Sequence, residues 1–321
     1  MKIAALTIVA QHPKGIDLHL RNLRWSIDGD FSHHIFTFEQ YGFKHPGIHF
    51  TTVDQDPMLY HSFWRHEALD LVRTTDADVL VISEQDVMYI TKLMPYIEKA
   101  YNTGTVIIDM EQYGHNIHKD GKEVYPRLWE GGMIVKADLI REAVLSGVGL
   151  ADFAQNTEIR QLAAKNKDHY FFQHGGKKVY LHEMADMSIT ERFENFFEFT
   201  LYCFLHDIKT ERALLSSHLP FPEGAHRNVP ELYTQPITKE LTDKLLTVSG
   251  YGPGSIPTTL FMYYMTGVCE DTHYVRGTWK KSAGWIKTRV RNLLPSAPEW
   301  MTPEELQKLL RVLNVMDPKL L

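Results

Sequence analysis

Cysteine is nearly missing from this chain. Only Cys203 and Cys269 occur among 321 residues, and they do not form a C-x-x-C pair. That excludes a disulfide scaffold or a cysteine-built zinc knuckle and fits a reducing compartment. Long apolar runs are missing too, since nothing approaches the roughly 20 residues of a membrane-spanning helix. The N-terminal stretch Met1–Lys14 has an apolar run only as long as a strand, with no small-residue cleavage pattern. It is read as a first strand rather than a secretory signal. An excess of one charge is lacking as well. With 34 Lys and Arg against 40 Asp and Glu, the net charge is −6. This gives no global support for nucleic-acid or membrane binding and leaves only a local basic patch to serve that role. Repeats and low-complexity segments are absent. The composition, 44% apolar and 23% charged, is that of a folded globular protein, expected to be soluble and cytoplasmic.

What is present centres on Thr75–Tyr89. Val79–Ile82 is an unbroken, β-branched apolar run, the pattern of a strand buried on both faces of a sheet. Ser83, Glu84, Gln85 and Asp86 follow at once, so two carboxylates stand near the carboxyl end of a central strand. In open α/β sheets ligands bind outside those strand ends. A carboxylate pair there can hold a hard divalent cation and, through it, a diphosphate. The plain alternative is an acidic turn capping the next helix.

The rest of the first 185 residues alternates strands and helices, which predicts an α/β domain with a mainly parallel sheet. Ile3–Val9 is the first strand. It leads into Gln11-His12-Pro13-Lys14-Gly15, which lacks the G-x-G-x-x-G dinucleotide fingerprint. Strands are predicted at His34–Phe38, His49–Val53, Thr105–Asp109, Met133–Lys136 and Lys178–Leu181. Helices are predicted at Ile16–Trp25, from Asp56-Pro57 to Arg73, and at Lys92–Tyr101, Asp138–Leu145 and Asp152–Lys165. Tyr113–Tyr125 reads as a loop or short hairpin. Adjacent His33 and His34 would point to opposite faces of their strand, which makes a poor joint metal site. Beyond residue 190 the chain changes character. Glu191–Leu205 is aromatic and helical, and Ser249–Pro257 is a glycine- and proline-rich break. Thr278–Arg291 interleaves Lys280, Lys281, Lys287, Arg289 and Arg291 with Trp279 and Trp285. Thr302-Pro303-Glu304-Glu305 is a strong helix start. The expected division is therefore a domain over residues 1–190 and a mostly helical region over 191–321.

Several motifs stand in the order found in glycosyltransferases of the GT-A type. Glu84-Gln85-Asp86, with the apolar run before it, resembles that family's acidic D-x-D motif. Trp129-Glu130-Gly131-Gly132-Met133-Ile134-Val135-Lys136 resembles the glycine-led strand over the donor sugar. Arg65-His66 resembles the basic pair on the preceding helix, facing the diphosphate. Asp152 or Glu158 stands where the catalytic base of inverting members is expected, and His182 where a late metal-ligating histidine is expected. The resemblance covers roughly residues 1–190. It departs from the family in having Glu84 as the first acid, and it leaves the base open between Asp152 and Glu158.

The resemblance implies a GT-A-like, Rossmann-type fold: a mixed, mainly parallel sheet flanked by helices, with a helical C-terminal extension. It implies a nucleotide-diphosphate sugar as donor and Mn²⁺ or Mg²⁺ held by Glu84, Asp86 and His182. Arg65, His66, Gly131 and Gly132 would contact the donor. The reaction would be an inverting transfer to a hydroxyl of a glycan acceptor, or of modified DNA such as a hydroxymethylpyrimidine reached through the basic 280–291 segment. Such chemistry needs the departing diphosphate to be stabilised and one carboxylate to take the acceptor proton. The same residues also fit two other readings: a metal-dependent hydrolase drawing on the 17 histidines, and a catalytically silent module that binds a sugar or nucleotide.

Overall fold

Strands and helices alternate from the first residues onward in the computed structural model. It describes residues 1–9, 15–38, 44–51, 64–110, 116–129, 131–151, 157–174, 177–185, 195–218, 240 and 283–316. Along the chain come β1 (Ile3–Val9), α1 (Ile16–Ser26), β2 (Ser32–Phe38), β3 (Ile48–Thr51) and α2 (Glu67–Thr74). Next are β4 (Val79–Glu84), β5 (Val87–Tyr89), α3 (Met94–Thr103), β6 (Val106–Asp109), β7 (Ile117–Lys119), β8 (Lys122–Tyr125) and β9 (Met133–Lys136). Then follow α4 (Ala137–Leu145), α5 (Thr157–Asn166), β10 (Tyr170–His174), β11 (Lys177–Tyr180) and a 3₁₀ turn, Leu181–Ala185. The last elements are α6 (Phe197–Leu205), β12 (Thr210–Ala213), β13 (Ser216–His218), α7 (Ala283–Leu293), α8 (Ala297–Trp300) and α9 (Pro303–Met316).

Seven strands make the central sheet in the order β12-β6-β9-β4-β1-β2-β3. β3, β2, β1 and β4 are mutually parallel, as are β6 and β12. β9 alone runs against both its neighbours. The fold is thus a mixed α/β architecture with a mainly parallel sheet flanked by helices. Every residue of β1 and β4 is buried, as the unbroken apolar runs require when both faces carry helices. One face (Ala4, Leu6, Ile8, Leu80, Ile82) packs with Trp64, with Ala68 and Val72 of α2, Ile140 and Ala143 of α4, and Phe197 and Phe199 of α6. Trp64 and Phe196 meet edge to face at 4.5 Å. The other face (Ile3, Ala5, Val79, Val81) packs with Leu23 of α1 and with Ile97 and Ala100 of α3.

Two smaller sheets flank this core. β11-β10-β7-β8 is antiparallel, and β5 pairs with β13 as a two-stranded antiparallel ribbon. At the C-terminal end α8 and α9 lie against α1. Trp25 Nε1 donates to Glu299 (2.8 Å), and Arg21 pairs with Glu305. The predicted start of α9 is a reciprocal capping box. The Thr302 N–H donates to Glu305 Oε2 (2.8 Å) and the Glu305 N–H donates to Thr302 Oγ1 (3.2 Å).

The predicted helix from Asp56 to Arg73 differs from the structure in its described part. Residues 64 and 65 are helical, His66 breaks away (φ −129°, ψ −99°), and α2 begins afresh at Glu67. Residues 52–63 lie outside the described residues. Strands β5, β10, β12 and β13 were not foreseen. β5 and β13 are three residues long, too short for a period, and β12 is the polar Thr-Glu-Arg-Ala at the sheet edge. A sheet edge needs no alternating apolar pattern, because its partner β6 supplies the pairing.

Candidate functional site

From β1 the chain moves outward to β2 and β3, then returns to place β4 on the other side of β1. The point between the carboxyl ends of β1 and β4 is therefore a topological switch point, where the diverging connections leave a crevice. Glu84, Gln85 and Asp86 stand there, all buried. The turn is tied into the sheet because the Gln85 N–H donates to the Ile8 carbonyl (3.1 Å). Strand alternation puts Glu84 on the face of Leu80 and Ile82, and Ser83 on the opposite face with Val79 and Val81.

Beside Ser83 lies a polar cluster in which Thr7, His19 and Ser83 are buried and His33 is half-buried. His19 of α1 is fully buried. Its Nδ1–H donates to the Val87 carbonyl (3.0 Å), while Nε2 lies 3.2 Å from Thr7 Oγ1 and 3.4 Å from Ser83 Oγ. His33 Nε2 reaches the same Thr7 hydroxyl (3.0 Å). Burial holds the His19 imidazole down at about 4. Burial, reinforced by neighbouring His19, holds His33 at about 3. Both rings are neutral at pH 7. One turn further along α1, the Asn22 side chain grips both backbone groups of Tyr89. Nδ2 donates to its carbonyl (2.8 Å) and Oδ1 accepts from its N–H (2.6 Å). His34, as its strand position predicts, turns away and meets His49 (3.2 Å).

Across β4 the reversed strand β9 brings its beginning, not its end, to this edge. Carried past Ile82↔Met133, the register sets Gly132 opposite Ser83 and Gly131 opposite Glu84. Each glycine has a local reason. A Cβ on Gly131 would stand 2.6 Å from the Trp129 ring, and Gly132 has φ +140° with Asp109 Cβ 3.2 Å from where its own Cβ would be. Asp109 closes β6 and is buried. Its N–H donates to the Gly132 carbonyl (3.0 Å), and its carboxylate accepts from the Ser216 hydroxyl. The half-buried Trp129 indole lies 5.6 Å from the guanidinium of buried Arg127.

No family model matches the chain, and no curated protein matches it. Two solved structures of the galactosyltransferase LgtC match part of it. One is an active-site mutant, 14% identical with a TM-score of 0.31, the match covering 44% of this chain and 59% of that one. The other is the enzyme with donor and acceptor sugar analogues, 14% identical with a TM-score of 0.29, covering 44% of this chain and 60% of that one. The chain thus spans less than two thirds of the solved chains it matches.

Of the residues singled out from the sequence, Glu84, Asp86, Gly131 and Gly132 come together at one sheet edge. Arg65 is half-buried at the break before α2, and His66 is exposed there. Glu158 is exposed in the first turn of α5, and Asp152 lies outside the described residues. His182 is exposed in the 3₁₀ turn, stacked on Tyr180, with Nδ1 3.0 Å from the Asp168 carbonyl oxygen. Among the described residues no group of three His, Cys, Asp or Glu side chains is placed to hold a metal ion, so Glu84, Asp86 and His182 are not gathered into one. In the basic segment, Arg289 is buried and Arg291 exposed. Lys280 and Lys281 lie outside the described residues, as does the side chain of Lys287. Sequence reasoning passed over His19, Asn22 and Asp109. Asp109 had a signal, an acid ending an apolar strand as Glu84 does. The two α1 residues looked like ordinary polar positions on an amphipathic helix.

Proposed function

We propose that this chain is a glycosyltransferase that takes a nucleotide-diphosphate sugar as donor and a divalent cation as its aid. One observation carries the reading: the acidic turn Glu84–Asp86 lies at the switch point of the sheet, beside the glycine-led start of β9. Mg²⁺-type sites commonly take one or two carboxylates from the protein and the rest of their oxygens from substrate phosphates and water. A two-carboxylate arm suits such a shared site, whereas a site built wholly from protein ligands would need more. A cation bound there supplies positive charge against the departing diphosphate.

Asp86 and Glu84 would hold the cation, and Arg65 would add a cationic side chain for the diphosphate. Gly131 and Gly132 present bare backbone to the sugar. Asp152 or Glu158 takes the proton from the acceptor hydroxyl as the new glycosidic bond forms and the sugar–phosphate bond breaks, so the anomeric centre inverts. His182, bonded to the Asp168 carbonyl and stacked on Tyr180, is left out of this set. The acceptor is a glycan hydroxyl. The DNA alternative rested on the basic segment, where Arg289 is buried.

The test is a melting-temperature screen with UDP, GDP, CMP and their sugars, each with Mn²⁺, with Mg²⁺ and with EDTA. A ligand that binds only the folded state raises the melting temperature by mass action. A metal-requiring rise for one nucleotide is expected and would name the donor class. A rise with metal alone would favour a metal-dependent hydrolase, and no rise with any of them would overturn the proposal. Asp152→Asn and Glu158→Gln then separate the two base candidates. The true base loses transfer and keeps donor binding, and retention of transfer in both would remove the inverting assignment.

A further inference from the structure

We infer that His19 and Asn22 of α1 are positioning residues, a clamp that fixes the acidic turn by holding the backbone just beyond it. This rests on the reading of Glu84–Asp86 as the donor site. The turn runs from Glu84, the last residue of β4, through Gln85 and Asp86 to the start of β5 at Val87. Its near end is held by ordinary sheet pairing, and the Gln85 N–H adds a bond to the Ile8 carbonyl (3.1 Å). Among the described residues its far end, β5, pairs with no strand of the central sheet and only with the short β13. A three-residue strand in a two-stranded ribbon has little stability of its own. Here α1 intervenes. His19 Nδ1–H bonds the Val87 carbonyl at 3.0 Å, and Asn22 bonds both the N–H and the carbonyl of Tyr89 at 2.6 and 2.8 Å.

Both side chains are fully buried, so each bond is made where water cannot replace it and its loss is costly. The bonding pattern also fixes the imidazole's tautomer. The Val87 carbonyl can only accept, so Nδ1 carries the proton and Nε2 accepts from the hydroxyl of Thr7 or Ser83. Ser83 is the residue immediately before the acidic turn. The same ring therefore touches the chain on both sides of Glu84–Asp86, at Ser83 on one side and at Val87 on the other. Burial keeps the ring neutral, so its contribution is one of shape and hydrogen bonding and not of charge.

Outer partners of this kind typically change metal affinity by about 10- to 100-fold when removed. The experiment uses the full chain with His19→Asn, His19→Gln and Asn22→Leu. Asparagine keeps an amide where Nδ1 stands, whereas glutamine moves its amide to where Nε2 stands. Two readings are taken on each variant: amide hydrogen exchange of the peptide spanning residues 84–90, and Mn²⁺-dependent affinity for UDP, GDP and CMP. In His19→Gln and Asn22→Leu, exchange is expected to rise about tenfold in that peptide alone, with affinity falling about tenfold or more. His19→Asn should stay near wild type in both. Unchanged exchange in His19→Gln and Asn22→Leu would overturn the clamp. Raised exchange with unchanged affinity would overturn its positioning role while leaving the donor reading intact. Equal losses in all three variants, with exchange raised throughout the chain, would reduce both residues to general core packing and overturn the inference. Wild-type protein that binds none of the three nucleotides would overturn the donor reading, and the positioning role with it. The exchange data would still say whether the clamp exists.

Discussion

The carboxyl edge of the central sheet and the small antiparallel sheet carry the same kinds of residue, acids and histidines, in opposite settings. At the edge Asp86, Asp109 and His19 are buried, His19 bonds the Val87 carbonyl, and the Asp109 N–H donates to the Gly132 carbonyl. In the small sheet the polar groups satisfy themselves locally. His182 bonds the Asp168 carbonyl, His118 that of Asn116 (2.9 Å), and Glu183 accepts from the Tyr180 N–H (2.8 Å). Polar groups kept dry have to be held by something, and what holds them also fixes their geometry. Residue type alone, then, does not mark a site. What distinguishes the edge is burial without an apolar reason for it.

The largest contrast is in ligand binding. Asp86→Ala should abolish metal-dependent nucleotide binding, read by calorimetry, in a protein that still melts cooperatively. Unchanged affinity would remove that residue from the site. His182→Ala, at an exposed position, should alter stability by no more than about 0.5 kcal/mol. Loss of affinity in that variant would draw the small sheet into the donor site and break the contrast.

Acid should act on the edge next. His19 and His33 have folded values near 4 and near 3, below the roughly 6.5 of an unfolded histidine. Between these limits the unfolded chain binds the extra protons. Their contribution is therefore complete above about pH 6.5 and is lost as pH falls toward 4. For His19 alone the loss is on the order of 3 kcal/mol. Denaturation midpoints at pH 7 and pH 4 should differ accordingly, and His33→Gln should narrow the difference. Equal midpoints would mean that the two rings are not held neutral.

A smaller effect is expected from Gly132→Ala. Its φ of +140° and the Asp109 Cβ at 3.2 Å should cost about 1–3 kcal/mol. The smallest belongs to the small sheet. The Lys178 ammonium lies 4.8 Å from the Phe171 ring, and Lys178→Ala should cost about 0.5–1 kcal/mol. Chemical denaturation would read both, and a reversal of their order would undo the contrast between the two regions.

How far the chain discloses this arrangement depends on distance along it. β1 and β4 were legible because strands buried on both faces must be apolar throughout, and the start of α9 because a capping box is spelled within four residues. The acidic turn and the glycine pair were legible for the same reason, each being a local break at a strand end. The clamp was not. His19 meets Val87 across 68 residues and Asn22 meets Tyr89 across 67, and no local pattern marks a helix side chain that will be buried against a distant carbonyl. β12 was hidden because an edge strand tolerates Glu211 and Arg212, which pair with Lys99 and Glu123.

The seating of β12 and β13 sets a timetable for folding. Everything that braces the acidic turn from α1 lies within residues 1–89, so those contacts can form as soon as that length of chain is free. Asp109 waits much longer, because its hydroxyl partner is Ser216 and the edge strand beside it is β12. Long-range pairings of this kind form late and slow folding. A chain that ends at β6 lacks β9, the strand between β4 and β6, as well as β12 and β13, and the pairings around the site are complete only when residues 210–218 have joined.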